Sequence, residues 1–132
     1  IDMTAEKIRI YKELDSLTSD KELENMKIKL SDRFGVLPEE VLRLFDIVRI
    51  RQLGQKIGFE KIIIKNGVMI AFFISNPLSQ YYKSDRFSKI LENITMNPKL
   101  FELKQNDSKL RIFAKNIDSI SKAYETLSKL LN

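Results

Sequence analysis

Residues 59–74 read Phe59-Glu60-Lys61-Ile62-Ile63-Ile64-Lys65-Asn66-Gly67-Val68-Met69-Ile70-Ala71-Phe72-Phe73-Ile74, and here the hydrophobic period changes from helical to two. Two β-rich runs separated by Asn-Gly predict a hairpin, because Asn-Gly supplies the positive φ angles of a type I′ turn that matches strand twist. Residues 68–74 are apolar at every position, as expected of a strand that is central or covered on both faces. Toward the C-terminus, Asn76-Pro77 breaks the strand and Ser84-Asp85 offers a helix cap. Phe87, Ile90, Leu91 and Ile94 then form a helical stripe that Pro98 stops. A second hairpin follows, with strands at 100–104 and 109–114 turned by Gln105-Asn106-Asp107-Ser108. The last helix begins near residue 117 and carries Ile120, Tyr124, Leu127 and Leu131 on one side. The order ββαββα predicts one antiparallel four-stranded sheet with helices on one face.

Toward the N-terminus, residues 1–58 read as three helices. Asp2 or Thr4 can cap the first, whose stripe is Ile8, Tyr11, Leu14 and Leu17. Ser19-Asp20-Lys21-Glu22 has the form of a capping box. Leu23, Met26, Leu30 and Phe34 follow on one face of the second helix. Gly35 sits where a helix C-terminus needs a residue of positive φ, and Pro38 where a first-turn proline starts the third helix, 38–57. That helix presents Val41, Leu44, Phe45, Val48, Leu53 and Ile57, and Gly58 ends it. The fold class is therefore α+β: a three-helix segment (1–58) followed by a ββαββα half (59–132), read as a single domain over 1–132. The start at Ile1, with helical periodicity within a few residues, is expected of a fragment of a much longer protein.

Composition narrows the chemistry. The chain has 132 residues, 43% hydrophobic and 31% charged, with 4 Gly and 3 Pro, which excludes disordered and collagen-like readings. It has no Cys and no His. Disulfides, thiolate nucleophiles and Ser-His or Cys-His dyads are thereby excluded, and a reducing cytoplasm is the expected compartment. No run approaches the ~20 apolar residues of a membrane span. The four glycines belong to no phosphate-cradling loop. No catalytic, cofactor or metal site is expected. The adjacent Glu39-Glu40 pair lies in the first turn of a helix, where negative charge complements the helix dipole.

The net charge of +5 is unevenly placed. Residues 1–58 carry 11 basic and 11 acidic side chains, whereas residues 59–132 carry 12 and 7. In the predicted strands, Lys61 and Lys65 point one way, and Lys104, Lys109 and Arg111 fall on the matching solvent face. Such a face is either simply solvated or a platform for single-stranded nucleic acid, which also needs exposed aromatics. Phe101 and Phe113 do not obviously share that face with the charges and fit the core at least as well. Tyr81-Tyr82 fits either a protein contact or packing over a sheet edge. Asp32 lies about 200° around its helix from Leu30, facing solvent beside Lys29, and corner formation does not require an aspartate there.

Three stretches carry a resemblance. They are Arg9-Ile10-Tyr11-Lys12-Glu13-Leu14, then Leu30-Ser31-Asp32-Arg33-Phe34-Gly35-Val36-Leu37-Pro38, and residues 44–58 reading L-F-D-I-V-R-I-R-Q-L-G-Q-K-I-G. They resemble the carboxy-terminal domain family of bacterial transcription-repair coupling factors (Mfd, TRCF), most closely over residues 8–62. The resemblance implies a regulatory module rather than a catalyst. In that family the parent is an ATP-driven DNA translocase, with ATP and Mg bound elsewhere, that displaces stalled RNA polymerase and recruits the repair protein UvrA. The terminal domain docks on the UvrA-binding module of its own chain and masks it until polymerase is engaged. The family's E-L-x-D-R-F-G stretch supplies an acidic pair to the masking surface; here only Asp32 carries over, next to Arg33, and Lys29 takes the first position. Lys29 and Asp32 then form a candidate local ion pair, and Phe34, Gly35 and Pro38 build the corner. The alternative function is a nucleic-acid-binding module using the basic sheet face.

Overall fold

Serine side chains begin three of the five α-helices among the described residues. Ser19, Ser84 and Ser119 each accept a hydrogen bond from the backbone N–H three residues on, at Glu22, Phe87 and Lys122, satisfying donors that a helix start leaves unpaired. The computed structural model describes residues 3–107 and 109–132. The elements are α1 (Met3–Asp15), α2 (Asp20–Phe34), α3 (Glu39–Ile57), β1 (Phe59–Lys65), β2 (Val68–Phe73), α4 (Asp85–Met96), β3 (Glu102–Asn106), β4 (Lys109–Ala114) and α5 (Ile120–Ser128). A short 3-10 turn, Gln80–Lys83, precedes α4. This is the α+β arrangement of three helices followed by ββαββα. Two compact units can be described, Ile1–Gln52 and Leu53–Asn132, and their boundary falls within α3.

In the first unit, Ile10, Leu14, Leu23, Leu30, Leu37, Val41, Phe45 and Val48 form one buried cluster. Arg51 ties α3 to α1: it forms an ion pair with Asp15 and donates to the Tyr11 hydroxyl at 3.2 Å. Gln52 donates to the carbonyl of Leu17 at 2.8 Å. Three expectations shift. The buried row of α1 is Ile10 and Leu14, and Ile8 is exposed; α1 carries two apolar rows, and only packing selects between them. Thr4 lies inside the first turn of α1 rather than capping it, and Asp2 lies outside the described residues. Phe34 is exposed at the end of α2. Gly35, at φ +80°, reverses the chain there, and Leu37 takes the place in the cluster that Phe34 was expected to fill.

In the second unit, Asn66 and Gly67 have φ of 53° and 75°, the signs a type I′ turn demands. The strand order is β1-β2-β4-β3, all antiparallel, so β2 and β4 are central. β1 carries a bulge between Phe59 and Lys61. This lets Phe59 share the buried side with Phe73 while Lys61 comes opposite Phe72. Met69, Ala71, Phe73, Ile112 and Ala114 are buried on one side of the sheet, and Val68, Ile70, Phe72, Arg111 and Phe113 are half-buried on the other. β2 is thus central but not covered equally on both faces. Phe87 of α4 meets Phe73 edge-on at 5.6 Å, which places α4 on the buried side. Buried Asn93 of α4 donates to the carbonyl of Leu130 at 2.7 Å. The inward face of the C-terminal segment is Ala123, Leu127 and Leu130 rather than Tyr124 and Leu131. Ile117 is buried ahead of α5, its N–H bonded to the carbonyl of Gly67. β3 lies two residues later than its predicted bounds and runs to Asn106, so the second turn is tighter than read; its Ser108 lies outside the described residues.

Candidate functional site

Lys29, Asp32 and Arg33 stand on the outer surface of the last turns of α2, all exposed. Helical geometry puts Asp32 there, about 200° around from buried Leu30, with Lys29 at the flank, whereas Arg33 is near the face of Leu30 and is exposed because α2 ends at Phe34. The expected Lys29–Asp32 ion pair does not form. Exposed pairs of this kind gain little in water and lose side-chain freedom. Arg33 instead lays its guanidinium over the ring of Phe34 at 4.9 Å. Gly35 donates its N–H to the carbonyl of Ser31 at 2.8 Å and ends the helix, and the carbonyl of Pro38 accepts from Val41 and Leu42 to start α3. The corner leaves Ile28, Phe34 and Val36 exposed, Val36 at 98%. Lys29, Asp32 and Arg33 line one open groove of about 860 Å³ with Leu17, Met26 and Ile28.

Glu39 and Glu40 are both engaged in ion pairs, with Arg43 at 3.2 Å and Lys7 at 3.0 Å. Tyr81 and Tyr82 are held inside the second unit. Their rings join Phe59, Phe73 and Phe87 in one aromatic cluster. Their hydroxyls donate to the carbonyls of Ile57 and Ile74. Burial raises the pKa of both, reinforced at Tyr81 by Tyr82 and at Tyr82 by Glu60. A tyrosine of the unfolded chain ionises near pH 10. The contribution of these neutral hydroxyls is therefore complete below about pH 10 and is lost as pH rises above it. The urea midpoint should fall between about pH 9 and 11.5, and Tyr81→Phe should lessen that fall. Equal falls in the two proteins would take Tyr81 out of the alkaline transition.

The basic sheet face assembles as one surface. Cross-strand register sets Lys61 opposite Phe72, Phe72 opposite Arg111, and Arg111 opposite Lys104. Lys65 and Lys109 stand on the same side at the hairpin ends. Phe101 is buried, as read. Phe113 is not off the face: it shares strand parity with Lys109 and Arg111 and lies half-buried beside them. Phe72 joins it. Parity along 109, 111 and 113 was the signal for Phe113; for Phe72 it was the two-residue Asn66-Gly67 turn, which pairs Lys65 with Val68 and so brings Lys61 opposite Phe72.

The family model of the TRCF domain matches residues 1–84. A transcription-repair-coupling factor of Escherichia coli is 43% identical over 56 residues, 42% of this chain and 5% of the relative. One of Rickettsia typhi is 32% identical over 131 residues, 97% of this chain and 11% of the relative. The chain thus spans about a tenth or less of the length of these relatives. A crystal structure of the C-terminal domain of transcription-repair coupling factor superposes with a TM-score of 0.70 at 16% identity, covering 94% of this chain and 78% of that one. No helix among the described residues is long and apolar enough to cross a membrane.

Proposed function

Because this chain belongs to the TRCF domain family, we propose that it is a regulatory, autoinhibitory protein-interaction domain that docks on the UvrA-binding module of its own longer protein. Docking masks that module until RNA polymerase is engaged. In this reading the domain is not itself an enzyme and holds no cofactor, while ATP and Mg belong to a translocase elsewhere in the parent. One observation carries the proposal: Asp32 has no ion-pair partner among the described residues and stands between exposed Lys29 and Arg33, on a groove bordered by exposed Ile28. Lys29 and Arg33 flank the single carboxylate with positive charge, so the complementary surface presents a base to Asp32 and acids around it.

The mechanism is a shift of population. A tethered docking partner sees a high effective concentration, so a modest interface holds the closed state. Anything that binds only the open state pulls the equilibrium toward it. Removing one member of an interfacial charge pair that stays partly in water weakens the contact by about 1 kcal/mol, severalfold in the docking equilibrium. In the full-length protein, Asp32→Ala should therefore raise both UvrA binding and basal ATPase activity severalfold, measured by calorimetry and by phosphate release. Unchanged values for both would remove Asp32 from the masking surface.

A further inference from the structure

We infer that the open face of the β-sheet is a binding platform for a single strand of nucleic acid, built on Phe72 and Phe113 with Lys61, Lys104 and Arg111 as its cations. These residues belong to the second unit, the α2 corner to the first, and the platform stands whether or not that corner docks. Four facts lead to it. First, the positive excess of the chain lies wholly in residues 59–132, and five of those cations share this one side of the sheet.

Second, the row is continuous: Lys61, Phe72, Arg111 and Lys104 are successive cross-strand neighbours over all four strands. Phe113 stands two residues along β4 from Arg111, diagonal to Phe72, a separation of about 7–8 Å. Third, the central cation has no acid. Among the described residues Arg111 makes no ion pair and its buried Nε has no hydrogen-bond partner, and its guanidinium lies 5.1 Å from the Phe113 ring and 5.9 Å from the Phe72 ring. Lys61 likewise rests its ammonium over Phe72 at 5.7 Å and makes no ion pair among the described residues. Glu102 is the acid on this side, 3.8 Å from Lys104, which also lies 4.6 Å over Phe113.

Fourth, the chemistry of the row matches both halves of a nucleotide. Cations tracking phosphates and aromatic rings stacking on bases are the two parts of a single-strand platform, and a four-stranded sheet can offer both on one face. Lys61 and Arg111 lie on the rings without an ion pair among the described residues and can take up an anion. Phosphates supply that anion; as the ammonium and guanidinium groups swing out to them, the ring faces open to the bases. A duplex offers no unstacked base, and an acidic peptide would use the cations while leaving the rings idle.

The test measures fluorescence anisotropy of a labelled strand of about twelve thymidines with the 132-residue chain. Binding should be evident at about 50 mM salt, and log K should fall with log salt by about 0.7 for each phosphate contact. Lys61→Gln and Lys104→Gln should each flatten that slope by about 0.7. Phe72→Leu with Phe113→Leu, which keeps apolar bulk but removes the rings, should weaken binding about tenfold without altering the slope. Asp32→Ala should leave it unchanged. Circular dichroism reports whether the leucine variant is folded; if it is not, the two exposed lysine variants decide. No binding at 50 mM salt overturns the inference. So does polyglutamate binding as tightly as the strand, or a folded leucine variant that binds at full strength.

Discussion

Gly58→Ala should lower the thermal midpoint by about 10–20 °C, an effect among the largest expected of any single substitution in this chain. Two costs add. Gly58 sits at φ +118°, outside the regions open to residues with a side chain, and forcing a non-glycine there costs about 1–3 kcal/mol. A Cβ at this position would also lie 2.1 Å from Cζ of Tyr81. That ring cannot simply turn aside. It is wedged against Phe73, Tyr82 and Phe87, and its hydroxyl is bonded to the carbonyl of Ile57. Displacing it costs a further ~1–3 kcal/mol of packing strain and a hydrogen bond. The sum, about 3–5 kcal/mol, is a large share of the 5–15 kcal/mol available to a typical domain. A double-mutant cycle with Tyr81→Ala separates the parts. The φ cost should persist in the Tyr81→Ala background, whereas the steric cost should vanish and appear as a coupling of at least about 1 kcal/mol. Additive effects would mean that Tyr81 does not set the requirement for glycine.

Gly58 also shows which features a sequence exposes. As a helix terminator it was readable at once, because the helical period stops there. That it is the seat of Tyr81 was not, since the ring reaches it from 23 residues away. The same division runs through the chain. Ser19, Ser84 and Asn66-Gly67 act on their own neighbours within a few residues, and local chemistry alone places them. Ile8 against Ile10, and Leu130 against Leu131, are choices between adjacent apolar rows, which only the packed partner makes. The α2 corner was legible by elimination, since Asp32 has no part in forming it. The exposure of Phe34 was not legible, because it depends on Leu37 returning into the cluster after Gly35. On the sheet, each strand's parity and the hairpin register of Lys61 with Phe72 were available, but the row from Lys61 to Lys104 exists only through the non-local pairing of β2 with β4.

Leu14→Ala should cost about 2–5 kcal/mol, and where that loss is felt will show how the chain unfolds. Leu14 is fully buried, in one cluster with Ile10, Leu23, Leu30, Leu37, Val41, Phe45 and Val48. Truncation removes the transfer energy of its methyl groups and leaves a cavity that these neighbours fill only in part. All of those neighbours lie in Ile1–Gln52, so a purely local account confines the damage to that unit. The alternative is the single cooperative domain read from the sequence, in which α3 is the common element. Its 19 residues supply Val41, Phe45 and Val48 to the first cluster, and buried Leu53 and Ile57 lie past the boundary. A helix of this kind gains most of its stability from packing along its length and little from propensity. Loosening its first half therefore withdraws support from its second. With one cooperative domain, native-state hydrogen exchange of the slowest amides of β2 and β4 should accelerate about as much as that of α2, roughly a hundredfold for a loss of ~3 kcal/mol. Acceleration confined to residues 3–52, with β2 and β4 unmoved, would establish two independently unfolding units and overturn the single-domain reading. Leu127→Ala, at a site 1% exposed in the other unit, supplies the reciprocal measurement, because true cooperativity carries its effect back to the amides of α2 in equal measure.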